Sequence, residues 1–319
     1  MERTLKSNTS RALRVLLTLA TAIVASQAVS SADAKLHQPV PPVNEYASSL
    51  EEYNALQLAA RGGTRLQWAK MPDWSGVWQR ETSLPMRIYF FDESAEIVPG
   101  TRGYPKPPAL TPRYQAAYEK KMEGIKSGKE WDRLSWCLPA GYPRVLAEPW
   151  LREFVVTPNE TWMTHEQVNE TRRVYTDGRG HVPDAEAIPL WLGDSIGFWN
   201  RDTLVVHTTH VKAGQYQRGN PDYSFKTTTV EQLRLVEPTM IEDRVTVYDP
   251  DSLLKPMHAV FHYRKRTGDV RVNYASCEEN NNTYLQADGS PNERLPGDPG
   301  YRDASTYGIP EVAYDSIPQ

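Results

Sequence analysis

The sequence predicts a mainly β protein, an antiparallel, barrel-like sheet with a few peripheral helices. Three observations carry this reading. Runs of strand length follow one another from residue 137 onward, divided by Pro, Gly, Asn and Asp. Only two stretches have helical character. The 25 prolines, 9 tryptophans and 17 tyrosines suit short strands joined by stiff loops and packed by aromatic side chains.

The chain begins with a different kind of segment. Arg3, Lys6, Arg11 and Arg14 precede a short apolar run, Val15 to Ala25, and Ala32-Asp33-Ala34 offers a small-residue cleavage site. This is the plan of a secretory signal peptide over 1–34. The run is shorter than the ~20 residues a spanning helix needs, and nothing later is apolar enough to span. An uncleaved anchor is the alternative. The mature protein is expected to start near Lys35 and to be periplasmic or secreted. Residues 35–70 read as an N-terminal extension with a helix, 71–285 as the barrel-like domain and 286–319 as an irregular tail.

Lys plus Arg total 36 and Asp plus Glu 40, a formal charge of −4 with no basic block, which argues against a nucleic-acid partner. Cys137 and Cys277 are the two cysteines. In an oxidising compartment a disulfide between them is expected, the alternative being one buried and one reactive thiol.

The first helix is "ASSLEEYNALQLAARGG". Ser48 or Ser49 caps it, Glu51 and Glu52 suit its first turn, and Gly62-Gly63 ends it. "DWSGVWQRE" (73–81) and "MRIYFFDE" (86–93) are strand candidates. The second helix, "ALTPRYQAAYEKKMEGIKSG" (109–128), has Thr111 as cap and Pro112 at its first position. Strands follow at 152–158, 160–167 and 170–177. A strand–turn–strand is expected over 196–211, then strands at 228–238 and 240–250. A hairpin is expected over 257–277, turning at Thr267-Gly268-Asp269.

Gly193-Asp194-Ser195-Ile196-Gly197 matches the Gly-x-Ser-x-Gly of serine hydrolases. A nucleophile elbow needs a helix after the serine. "FWNRDTLVVHTTH" is β-branched and aromatic, so Ser195 is expected to sit in a turn entering a hairpin. His207 and His210 fall on opposite faces of a strand, and His258 and His262 lie about 13 Å apart along one. No spacing points to a metal, and no metal or cofactor is expected. "YTDGRGHVP" (175–183) is the richest loop. Asp177 opens a tight turn, and Arg179 and His181 project from it, a set that can carry acid–base chemistry; a plain structural turn is the alternative. Arg144, Glu148 and Glu278 stand beside the two cysteines. His165 is a further candidate for a pocket rim.

Gly76-Val77-Trp78 resembles the G-x-W of lipocalin- or calycin-type barrels. A wider resemblance runs over about 73–282, through "CLPAGYPR", "FVVTP", "RRVYTDGRGH", "GDSIGFWNRDTLVVHTT", "DPDSLLKPM" and "CEEN". In this order the motifs resemble a large group of exported β-rich bacterial proteins to which no activity is assigned. The resemblance implies export and a β-rich fold. The chain departs from that pattern at His207, where the group has Asp, and at "SFKTTTVEQL", where the group has a His-Ser-Asp or His-Ser-Glu.

Two functions fit. One is a cofactor-independent enzyme of the lyase, hydratase or isomerase type acting on a small, largely apolar or aromatic substrate. In that reading His181 or His207 is the acid–base group, Asp177 or Asp194 its partner, and Arg179 holds developing negative charge. Trp199, Trp191, His165 and Tyr175 would line the pocket. The other is a non-catalytic periplasmic binding protein for a hydrophobic small molecule. An acid exchanged for His207 within a maintained pattern favours the enzyme.

Overall fold

A computed structural model describes residues 46–81, 107–127, 132–136, 138–217, 219–273, 283–285, 291–294 and 297–301. The signal segment, the strand expected at 86–93, Cys137, Cys277 and Glu278 lie outside these residues.

Nine strands form a closed barrel: β1 (Val77–Arg80), β2 (Leu151–Val156), β3 (Glu160–His165), β4 (Glu170–Tyr175), β5 (Asp194–Asn200), β6 (Thr203–Thr209), β9 (Thr228–Glu237), β10 (Met240–Tyr248) and β11 (Met257–Lys265). The order around the barrel is β1-β11-β10-β9-β6-β5-β4-β3-β2, and β1 pairs with both β2 and β11 to close it. Between β6 and β9 the chain leaves the barrel to make a small ribbon, β7 (Gly214–Gln215) with β8 (Asp222–Tyr223). A second ribbon pairs β12 (Thr283–Leu285) with β13 (Pro291–Glu293), the latter within the stretch read as an irregular tail.

Two features differ from the sequence expectation. The β4–β5 pair is parallel, Val174 opposite Ser195 and Tyr175 opposite Ile196. Parallel neighbours need a long crossover, and the loop 176–193 supplies it. The sheet is therefore mixed, and with nine strands it departs from the eight-stranded up-and-down lipocalin plan. The hairpin expected over 257–277 also does not form among the described residues. Its first arm is β11, whose two edges are taken by β1 and β10, and 270–273 form no strand. In a closed barrel no edge is left for a second arm.

Alternation along the strands fills the interior. Trp78, Phe154, Val174, Trp199, Leu204, Leu233, Ile241 and Phe261 are all buried there, each such side chain contributing about 1.5–3 kcal/mol. Trp78 of the Gly-x-Trp turn donates its indole N–H to the Trp74 carbonyl at 2.9 Å.

Helix α1 (Ser49–Ala59) lies on the outer face of β6, β9 and β10. Ser48 caps it, accepting the Glu51 N–H at 3.2 Å, and Glu51 in turn accepts the Ala47 N–H, a form of capping box. Buried Glu52 accepts from the Thr246 and Tyr248 hydroxyls and pins the helix to β10. Helix α2 (Pro112–Lys126) starts at Thr111 and buries Tyr118, Met122 and Ile125. Thr111 ties it to the turn at Asp251 and Ser252, and Lys121 reaches Asn220 and Asp222 beside the β7–β8 ribbon. No helix among the described residues is long and apolar enough to cross a membrane.

Candidate functional site

The interior carries charge as well as aromatic packing. Arg172 on β4 points inward and is fully satisfied. Its Nε donates to Ser195 Oγ at 3.1 Å, one terminal nitrogen to Glu231 Oε1 at 3.0 Å, and the other to Thr208 Oγ1 at 2.7 Å and to Glu231 Oε2. Its guanidinium also lies 4.2 Å from the Tyr142 ring, whose hydroxyl donates to Glu231. Arg144 is saturated in the same way, bidentate to Asp132 at 2.7 and 2.9 Å and bonded to Glu148 at 2.7 Å.

Beside these closed pairs lies a group that is not closed. Arg152 (β2), His165 (β3), Glu170 (β4), Asp243 (β10) and Tyr263 (β11) line one cavity, together with apolar side chains that include Phe154, Met163 and Leu233. It offers about 20 Å³ to the centres of water-sized molecules, room for a water or two. Arg152 donates to the carbonyls of Glu148 and Val145 and stacks 4.2 Å from the Tyr263 ring, but its Nε has no partner. Glu170 Oε2, Asp243 Oδ1 and both ring nitrogens of His165 are likewise buried without a hydrogen bond of normal geometry. Natural interiors hold few such atoms.

The protonation states follow from burial. Glu170 is pushed up to about 7 by burial, against the backbone N–H groups of Gly141 and Ala140 that favour its charge. Burial, then the neighbouring Glu231 charge, pushes Asp243 well above the usual carboxyl range and favours its protonated form. Burial, then the Arg152 charge, holds His165 well below the usual imidazole range, so it is neutral. The cavity thus gathers a carboxyl that titrates near neutrality, a second carboxyl whose charge burial opposes, a neutral imidazole and a guanidinium.

A second polar chain runs on the outside of the barrel. Asp194 Oδ2 lies 2.8 Å from His181 Nδ1, His181 Nε2 lies 2.8 Å from His207 Nδ1, and His207 Nε2 lies 2.9 Å from Ser49 Oγ. The Ser49 and Thr228 hydroxyls are 2.7 Å apart. Ionised Asp194 only accepts, so with both rings neutral each histidine carries its proton on Nδ1. Burial works against the Asp194 charge, but His181 and the Val182 N–H outweigh it and hold the carboxyl below its usual range. Burial, then the His181 charge, pulls His207 down to about 3. The order hydroxyl, imidazole, imidazole, carboxylate resembles an activated nucleophile. Ser49, however, is 4% exposed at the start of α1, and its hydroxyl and all four ring nitrogens of the two histidines are engaged. These bonds tie α1 to the barrel.

Of the residues singled out from the sequence, the fold brings His181, His207 and Asp194 together. It leaves Asp177 and Arg179 apart from them, as an exposed pair bonded to each other, with Arg179 4.1 Å from the Tyr175 ring on the outer face. The turn therefore brings only His181 to the polar chain under α1. Trp199 packs 5.2 Å from Trp74 in the core, and Trp191 sits under Lys212 and Arg133. Of the four expected pocket residues, only His165 lines the cavity.

Ser195 stands inside the barrel, in strand rather than at a strand–helix turn. The two glycines that flank it answer to packing. Gly193 has φ +68°, and a Cβ there would meet Thr209 O at 2.7 Å; one at Gly197 would meet Val205 O at 2.6 Å. The hydrolase-like spacing is thus required by the β5–β6 pair. Glu170, Arg152, Asp243 and Tyr263 were not singled out. Their signal was a charged or polar residue on the same alternation as buried apolar ones, as in "ETRRVY", where Glu170 and Arg172 share a face with Val174. Among the described residues no three His, Cys, Asp or Glu side chains are gathered to hold a metal ion. No family model and no curated protein matches the chain.

Proposed function

We propose that the protein is an exported, cofactor-independent acid–base enzyme of the lyase, hydratase or isomerase type, working on a small, largely apolar substrate at the barrel cavity. The observation that carries this reading is Glu170, buried on the cavity wall, with a free Oε2 and a pKa of about 7. A general acid–base group works best when its pKa lies near the operating pH. The Glu170 carboxylate takes a proton from a substrate carbon. Arg152 and the protonated Asp243 hold the negative charge left behind. Protonated Glu170 then returns the proton to another carbon, which isomerises the substrate, or to a leaving hydroxyl, which departs as water. The cavity as it stands suits that water, and Val145, Leu146 and Leu192 form the wall a carbon skeleton must displace to enter.

The test is proton exchange. The full chain is incubated in D2O with a panel of small aromatic and terpenoid ketones, alcohols and alkenes, and deuterium entry is followed by NMR. Exchange at one carbon is expected, lost in Glu170→Gln and retained in His207→Gln. Compounds that bind without exchange would instead support the non-catalytic binding protein. Exchange unchanged in Glu170→Gln would remove Glu170 from the chemistry.

A further inference from the structure

A second cavity lies between α2 and the β7–β8 ribbon, and the proposed function does not use it. It is an open groove with about 700 Å³ of room, within the range of small-molecule sites. Its rim carries Arg113, Lys120 and Lys121, and its floor Arg133, Gln215 and Tyr223.

The floor has an unusual electrostatic state. Arg133 is 5% exposed, yet it makes no ion pair with any carboxylate among the described residues. Its single hydrogen bond of normal geometry runs from one terminal nitrogen to the Ala213 carbonyl at 3.4 Å; its Nε and other terminal nitrogen make none, with the Tyr223 hydroxyl beside the guanidinium. The neighbouring acids are committed elsewhere. Asp132 holds Arg144, Asp222 pairs with Lys121, Asp249 accepts from Ser224 and Thr227, and Asp251 pairs with Lys226. Glu170 feels the Arg133 charge but has no hydrogen bond to it. A buried charge without a partner is strongly unfavourable. The surroundings nevertheless keep this guanidinium in place. It is 5.1 Å from the Trp191 ring, and Gly214 leaves it space, since a Cβ there would fall 2.1 Å from its nitrogen. The Gln215 Nε2 amide has no partner, and the Tyr223 hydroxyl, which faces the Arg133 guanidinium, makes no hydrogen bond of normal geometry and keeps its own proton to donate. An amide nitrogen and a guanidinium donate only, and a hydroxyl can donate. The groove therefore presents mainly donors and positive charge; the one carboxylate that lines it, Asp222, is paired with Lys121.

We propose that this groove is a binding site for a small oxyanion, the carboxylate or phosphate group of an organic ligand. The anion sits against Arg133, bonded by its free N–H groups, Gln215 and Tyr223, with Lys120 and Arg113 at the rim. Paired, charge-assisted bonds from a guanidinium match the two oxygens of either group. The ligand's apolar body lies along Tyr114, Ala117 and Ile125.

Thermal denaturation and calorimetric titration of the full chain test the site, with sodium benzoate and inorganic phosphate as probes and sodium chloride holding ionic strength constant. Saturable binding and a rise in Tm are expected with at least one probe. Benzoate alone identifies a carboxylate ligand, and phosphate alone a phosphate. Arg133→Met should weaken binding by roughly ten- to a hundredfold without lowering the Tm of the ligand-free chain, because it removes an unpaired buried charge. Should that variant fail to fold, the exposed double variant Arg113→Glu/Lys120→Glu should still weaken binding by about tenfold. No saturable effect beyond chloride, or affinity unchanged in these variants, would overturn the proposal. Neither result bears on Glu170, whose test reads proton exchange.

Discussion

The polar chain under α1 and the polar interior of the barrel lie on opposite sides of the same sheet. On β5 Asp194 faces out and Ser195 in; on β6 His207 faces out and Thr208 in. Outside, Asp194 Oδ2, all four ring nitrogens of His181 and His207, and Ser49 Oγ have partners. Inside, Glu170, His165, Asp243 and Arg152 each keep an unpartnered atom on a cavity. The density of titratable groups is similar, but the bonding capacity left over differs. A chain of satisfied groups holds structure together. Groups held in place with bonds still to make are what a ligand can use.

The two regions also respond to pH with opposite sign. Glu170 has a folded pKa of about 7, above its unfolded value near 4.3. The folded state binds the extra proton, so stability falls as pH rises from about 4.3 to 7. His207 has a folded pKa of about 3, below its unfolded value near 6.5. Here the unfolded state binds the extra proton, so stability falls as pH drops from about 6.5 toward 3.

Four variants separate the regions. The largest effect is expected at a closed pair. Arg172→Met leaves Glu231 buried and unpaired and should cost about 3–5 kcal/mol in urea unfolding. Next, Glu170→Gln removes an acid that burial disfavours. It should raise stability at pH 8 by up to about 3 kcal/mol, and the gain should shrink toward pH 5. Between pH 6.5 and 5 His207 should cost about 2 kcal/mol while Glu170 returns a similar amount, so the His207 loss is read in the Glu170→Gln background. His207→Gln should flatten that slope, and hydrogen exchange should show α1 loosening first in the wild type. The smallest effect belongs to the exposed Asp177–Arg179 pair, where Arg179→Ala should leave both the unfolding midpoint and the exchange chemistry unchanged.

Much of the fold was legible because alternation and turn residues are local. Both helices, with Ser48 and Thr111 at their caps, and the strands at 152–158, 160–167, 170–177, 228–238 and 240–250 fall where the pattern puts them, within a residue or two. What the sequence did not reveal depends on closure. The second arm of the 257–277 hairpin has no edge to join, and the parallel β4–β5 pair follows from where the 176–193 loop lands. For the site, residue types were readable and faces were not. His181, Asp194 and His207 do converge, but on the outer side, where α1 covers them. Glu170 and Asp243 sat in strands that read as ordinary alternation, and only a closed barrel turns an inward carboxyl into a buried one.

The most direct measurement is a carboxyl-carbon NMR titration of the full chain with Glu170 assigned through Glu170→Gln. One carboxyl resonance that moves near pH 7 and disappears in the variant is the expected result. A Glu170 resonance titrating near the ordinary value of about 4.3 would mean that the carboxyl is solvated, and that the cavity is not an acid–base site.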